Sequence, residues 1–142
     1  MSLFALSDTH LSLSTDKPMD IFGSRWQQHD KRISEAWTET VGDGDTVVIA
    51  GDISWAMSMD DALTDLAYLD RLPGRKLIGR GNHDYWWGTV NKMKKFFVEQ
   101  HGLSTLEFLY NNAFEVGEFI VCGSRGWWGG EGLCPSGVDY GK

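Results

Sequence analysis

The sequence predicts an α/β domain built on a mainly parallel sheet, and two observations carry that expectation. Short apolar runs alternate with longer segments of helical periodicity up to about residue 102. Each of the first three runs also ends in side chains that carry oxygen or nitrogen. Leu3-Phe4-Ala5-Leu6-Ser7 leads into Asp8-Thr9-His10, Thr46-Val47-Val48-Ile49-Ala50 into Gly51-Asp52, and Lys76-Leu77-Ile78-Gly79 into Arg80-Gly81-Asn82-His83-Asp84. Ligands of open parallel sheets bind outside the carboxyl ends of the strands, so these three ends form the candidate site.

The first strand ends at Asp8, and if the backbone stays extended, the i, i+2 spacing points Asp8 and His10 the same way. A long polar connection follows over residues 11–24, of a length more often functional than idle. Trp26, Ile33, Ala36, Trp37 and Val41 mark an amphipathic helix over residues 25–41, closed by the plain turn Gly42-Asp43-Gly44-Asp45. After the second strand, Ser58 with Asp61 resembles a capping box. Met59, Leu63, Leu66, Ala67 and Leu69 supply that helix's buried stripe, and Pro73-Gly74 ends it. Thr89 is the expected N-cap of a third helix with Val90, Met93, Phe96 and Phe97 on its apolar face and Gly102 as its stop. Beyond it, residues 106–110, 113–116 and 118–122 read as short antiparallel strands. The Gly-rich stretch at 128–142 reads as an irregular tail.

A net charge of −7 argues against a broad electrostatic grip on nucleic-acid phosphates, which needs a basic surface. Clustered carboxylates suit dications instead. No apolar run approaches bilayer length, and the N-terminus turns polar too early for a signal segment, so the expected compartment is the cytoplasm. Cys122 and Cys134 read as buried or idle thiols of a reducing compartment.

Alone, an Asp-x-His or a Gly-Asp is most often a turn aspartate or a satisfied histidine. Joint placement at three strand ends weighs against that reading, because a packed core gives Asp8, His10, Asp52, Asn82, His83 and Asp84 no reason to converge. Carboxylate, imidazole and amide oxygen without thiolate suit Mn, Fe or Zn. Taken in order, Asp8-x-His10, Gly51-Asp52 and Gly81-Asn82-His83-Asp84 resemble the opening motifs of the calcineurin-like metallophosphoesterase superfamily. The extended forms Gly51-Asp52-Ile53-Ser54-Trp55-Ala56-Met57, residues 80–87 and Gly123-Ser124-Arg125-Gly126-Trp127 are similar to its small stand-alone bacterial phosphohydrolases. The resemblance covers residues 1–127 as an N-terminal portion, with 128–142 as the tail.

The resemblance implies a sandwich of two sheets with helices outside, incomplete here at the C-terminus. It implies hydrolysis of a phosphate ester by hydroxide held between two metal ions about 3.5–4 Å apart. Asp8 and His10 would ligate the first metal, Asp52 would bridge both, and Asn82 would bind the second through its side-chain oxygen. His83 would act on the phosphoryl group or the leaving oxygen, with Asp84 fixing its tautomer, and Arg80 and Arg125 are candidates to hold the substrate phosphate. The family's further histidines have no counterpart here: the remaining ones, His29 and His101, read as a helix-surface and a helix-end residue. The second metal site is therefore expected to be incomplete and the activity impaired, the alternative being a non-catalytic metal-binding remnant or regulatory binding protein. Trp55, Trp86 and Trp87 are read as packing between sheet and helices rather than as a platform for nucleobases. An unfinished second sheet, with Phe108, Phe114, Phe119 and Val121 open to water, points to self-association.

Overall fold

A computed structural model describes residues 1–124; Arg125, Cys134 and the expected tail lie outside the described residues. Strands β1 (Leu3–Leu6), β2 (Thr46–Ile49), β3 (Arg75–Ile78) and β4 (Leu106–Phe108) form one parallel sheet in the order β1-β2-β3-β4. Between them run α1 (His29–Thr40), α2 (Met59–Asp70) and α3 (Val90–Met93), the last continuing as a π-helix over Lys94–Gln100. An antiparallel hairpin of β5 (Asn112–Val116) and β6 (Phe119–Gly123) completes the described chain.

The register explains which face each layer covers. Leu6, Ile49, Ile78 and Phe108 are aligned across the four strands and share one core with Trp37, Leu66, Leu69, Met93 and Phe97 from the helices. Repeated right-handed crossovers in one direction put all three helices on that face. The neighbouring residues along each strand point the other way. There Val48 and Leu77 meet Leu109, Phe114, Val116 and Val121, so the hairpin is the second layer.

Local chemistry sets the helix ends. The Ser58 hydroxyl accepts from Asp61 N at 3.2 Å, Thr89 from Lys92 N at 3.3 Å, and Gly102 stops the third helix at φ +72°. The first helix starts later than its periodicity suggests, since Ser24–Trp26 forms a separate 3₁₀ turn. Asp65 on α2 is fully buried and accepts from Leu13 N at 2.9 Å and Ser54 Oγ at 2.5 Å, tying the long first connection to the loop after β2.

Three expectations are corrected. Residues 106–108 pair parallel to β3, because the preceding helix returns the chain to the start of the sheet; reversal comes only at Asn111, at φ +53°. Phe108 consequently lies in the helix-side core at 3% exposure, whereas Phe119 is 63% exposed and Phe114 and Val121 are half-buried. Cys122 lies on β6 as expected, but its residue is exposed. Among the described residues no helix is long and apolar enough to cross a membrane.

The amino end of the sheet holds a buried cation. Lys76 Nζ donates to the carbonyl of Leu72, to Asp70 O at 3.2 Å and to Thr105 Oγ1 at 3.1 Å, closing the carboxyl end of α2. Burial lowers its pKa to about 8, against the opposing pull of Asp70 and Asp43.

Candidate metal centre

Pairing between the first two strands continues past their ends into the loops that carry the predicted ligands. Asp8 N donates to Gly51 O at 3.0 Å, His10 N to Asp52 O at 2.9 Å and Leu11 N to Ile53 O at 2.8 Å. The backbone does not stay extended: Asp8, His10 and Asp52 adopt φ of +55°, +41° and +51°. The alternation rule therefore does not orient Asp8 and His10; a left-handed turn does. Such conformations cost of order 1–3 kcal/mol each and persist only where the surroundings over-determine them.

Two features supply that constraint. Gly51 and Gly81 meet back to back, so that a Cβ on Gly51 would stand 2.6 Å from Gly81 Cα, and one on Gly81 would collide with the backbone nitrogen of Asp52. Only glycine allows the loops after β2 and β3 to approach this closely. The second feature is Asp84, which is 1% exposed. Its carboxylate accepts from Asp52 N, Ile53 N and Gly81 N, each at 2.8 Å, from Ser54 N at 3.3 Å and from Trp86 Nε1 at 3.1 Å. Burial pushes the Asp84 carboxyl up, against the lowering effect of the Gly81, Ile53 and Ser54 amides. The expectation that Asp84 fixes the His83 tautomer is thus corrected, since Asp84 clasps backbone and the imidazole turns elsewhere.

That other partner is Asp52. One carboxylate oxygen accepts from His83 N at 2.9 Å and the other lies 2.8 Å from His83 Nδ1. His10, Asp52 and His83 each offer one ligand atom within 4.8 Å of the others. Asp8 is more exposed and joins through His10, whose Nε2 lies 3.8 Å from both Asp8 Oδ1 and Asp52 Oδ2, so the two carboxylates are no farther apart than twice that distance. Asn82 joins through His83, its Nδ2 lying 3.2 Å from Nδ1 and 3.4 Å from Nε2. Arg80 is half-buried at the end of β3.

The donor set fits a divalent cation. A 3.8 Å separation is too long for a hydrogen bond, yet both atoms can reach one ion at bond lengths of about 2.0–2.2 Å. Burial lowers the pKa of His10 despite the opposing Asp52 and Asp8 charges, which favours the neutral imidazole that a metal requires.

The tryptophans divide. Trp86 and Trp87 are buried in the helix-side core, as expected. Trp55 instead stacks on His10, with centroids 4.8 Å apart and planes at 24°, and lies 5.0 Å from His83. Lys17 Nζ sits 5.2 Å from the Trp55 centroid. His29 is not a plain surface residue: it is half-buried, with Nε2 3.0 Å from the backbone oxygen of Thr9. Nothing in its sequence context signals this. His101 caps the third helix, exposed and 4.6 Å from Phe96, in keeping with a helix-end role.

The family model described as calcineurin-like phosphoesterase matches residues 1–138. The gene 66 protein of Mycobacterium phage L5 is 41% identical over 58 residues, which cover 41% of this chain and 28% of the phage protein. The crystal structure of a protein of unknown function from Aquifex aeolicus aligns with a TM-score of 0.51 at 20% identity, covering 84% of this chain and 58% of that one. This last likeness is one of fold. The chain spans under a third of the phage relative and little more than half of the solved structure.

Proposed function

The chain belongs to the calcineurin-like phosphoesterase family, and from that premise we propose that it hydrolyses a phosphate ester with divalent ions held at the carboxyl rim of its sheet. The observation that carries this reading is the convergence of His10, Asp52 and His83. In it, Asp8, His10 and Asp52 would hold a first ion, and Asp52 and Asn82 would hold a second. When bound there, Mn, Fe or Zn would supply a polarised water and positive charge for the phosphoryl oxygens. The chain's own groups do the rest. Asp52 engages Nδ1 of His83, leaving Nε2 to pass a proton to the leaving oxygen. Asp84 acts from behind, by fixing the backbone from which Asp52 and His83 project. Arg80 and Arg125 take the substrate phosphate. The protein works in the cytoplasm and self-associates, and it does not hold nucleic acid over a broad surface. Among the described residues, Asp52 and Asn82 are the groups assigned to the second ion, and slow turnover is expected from so small a ligand set.

Metal uptake and hydrolysis of an aryl phosphate, measured on the same sample, test this. The expected result is about one equivalent of Mn bound and slow chelator-sensitive turnover, both lost in Asp52→Asn. His83→Ala is expected to reduce turnover about 10²–10⁴-fold while largely sparing metal. Equal loss of metal would make His83 a ligand instead. Turnover indifferent to chelators and to Asp52→Asn would refute the proposal.

A further inference from the structure

Asp8 and His10 flank Thr9, and the turn they form is held at Thr9 from two directions. Thr9 is 1% exposed; its hydroxyl donates to Ile53 O at 2.9 Å, while its carbonyl oxygen lies 3.0 Å from His29 Nε2. A carbonyl only accepts, so Nε2 carries the proton and donates. His29 is the first residue of α1. Trp26, just ahead of it, sets its ring edge-on both to His29, at 5.4 Å and 76°, and to His10, at 6.0 Å and 71°. The entry to α1 thus touches the turn at the Thr9 backbone and at the His10 ring.

We propose that His29 is a positioning residue of the metal centre, whose Nε2–H grips the Thr9 carbonyl and holds Asp8-Thr9-His10 in the left-handed turn that aims both side chains at one ion. The inference rests on the metal-dependent reading above. The two holds are complementary: the Thr9–His10 peptide donates its N–H, on His10, to Asp52 O at 2.9 Å, and its carbonyl, on Thr9, accepts from His29, so His29 fixes the end of that peptide that the loop after β2 does not reach. A role confined to anchoring α1 would lower stability and leave the ligands in place, so the two roles are separable.

The test uses the 142-residue chain with His29→Met, which has no donor, and His29→Gln, whose amide can donate to the same carbonyl. Co²⁺ is titrated by its visible absorption, and the thermal midpoint of each metal-free protein is recorded alongside. We expect His29→Met to weaken cobalt binding about tenfold and to alter its bands, and His29→Gln to restore most of both, whatever the midpoints do. Unchanged affinity and bands in folded His29→Met overturn the proposal, as does an equal loss in both variants. NMR of the metal-free wild type gives a reading that needs no variant: His29 is expected as the Nε2–H tautomer, and the Nδ1–H tautomer would overturn the grip. If the wild type takes up no cobalt, the metal-dependent reading is what fails. The amide resonances of Asp8 and His10 then decide the grip alone, by shifting in His29→Met and returning in His29→Gln; no shift overturns it.

Discussion

The two ends of the sheet each bury a charged side chain against backbone, with opposite results. At the carboxyl end the Asp84 carboxylate gathers N–H groups from Asp52, Ile53, Ser54 and Gly81. At the amino end Lys76 gathers the carbonyls of Leu72 and Asp70 and the Thr105 hydroxyl. Lys76 finishes a helix, and its partners are ordinary backbone whose groups are consumed where they stand. Asp84 instead holds together two loops in which neighbouring residues are strained, leaving the side chains of Asp52 and His83 to face a common point. A buried charge can therefore close a structure or hold one open for chemistry. What decides between these is whether the backbone it clasps carries side chains of the candidate site.

The sharpest way to break this contrast is Asp84→Ala. It strands several buried donors, each worth about 1–3 kcal/mol, so a loss of about 4 kcal/mol in urea unfolding is expected, along with metal uptake. Survival of the metal site would show that the clasp is not what shapes it. Gly81→Ala comes next, at about 2–3 kcal/mol, because the new methyl meets Asp52 backbone and neither loop can retreat; an unperturbed calorimetric transition would deny the close approach any role.

At the other end the test is one of pH. Lys76 has a folded pKa of about 8 against an ordinary 10.5, so the unfolded chain holds its proton more tightly. The cost of burying the charge is fully present below pH 8 and fades as pH rises toward 10.5. Wild-type stability relative to Lys76→Met should accordingly rise by on the order of 2 kcal/mol between pH 8 and pH 10. Parallel profiles for the two proteins would contradict the assignment. The smallest effect is expected midway, where Ser58→Ala removes the α2 cap for about 1 kcal/mol and leaves both ends of the sheet untouched. A larger change in metal affinity than in stability there would mean that the ends are coupled through α2.

What could be read from residues alone was the identity of the converging groups, because strand ends and residue type suffice to bring Asp52 and His83 together. How they are held was not legible. Aspartate and histidine enter left-handed backbone without the glycine that would announce it, so the turns at Asp8, His10 and Asp52 leave no trace in the sequence. Asp84 looked like a partner for its neighbour His83, since sequence adjacency says nothing about which of two loops a carboxylate will bind. The direction of β4 is not legible in its own residues, because a short apolar run carries no mark of parallel or antiparallel pairing; the helix before it sets the direction. Lys76, in an apolar run, gave no sign that its head would serve a helix end. The left-handed turn at Gln28, directly before His29, was equally hidden.

The strand order has a consequence for synthesis. Because β1, β2, β3 and β4 lie side by side in the order in which they are translated, no strand needs a later one inserted between itself and its neighbour. Every group of the candidate centre among the described residues comes from residue 84 or earlier, His29 and Trp55 included. A chain still attached to the ribosome could therefore dock its first three strands and form the rim before β4 and the hairpin have emerged, since domains are laid down from the N-terminus as they are made. Ribosome-bound intermediates stalled at increasing lengths would then acquire cobalt well before they acquire the hairpin's protection from hydrogen exchange.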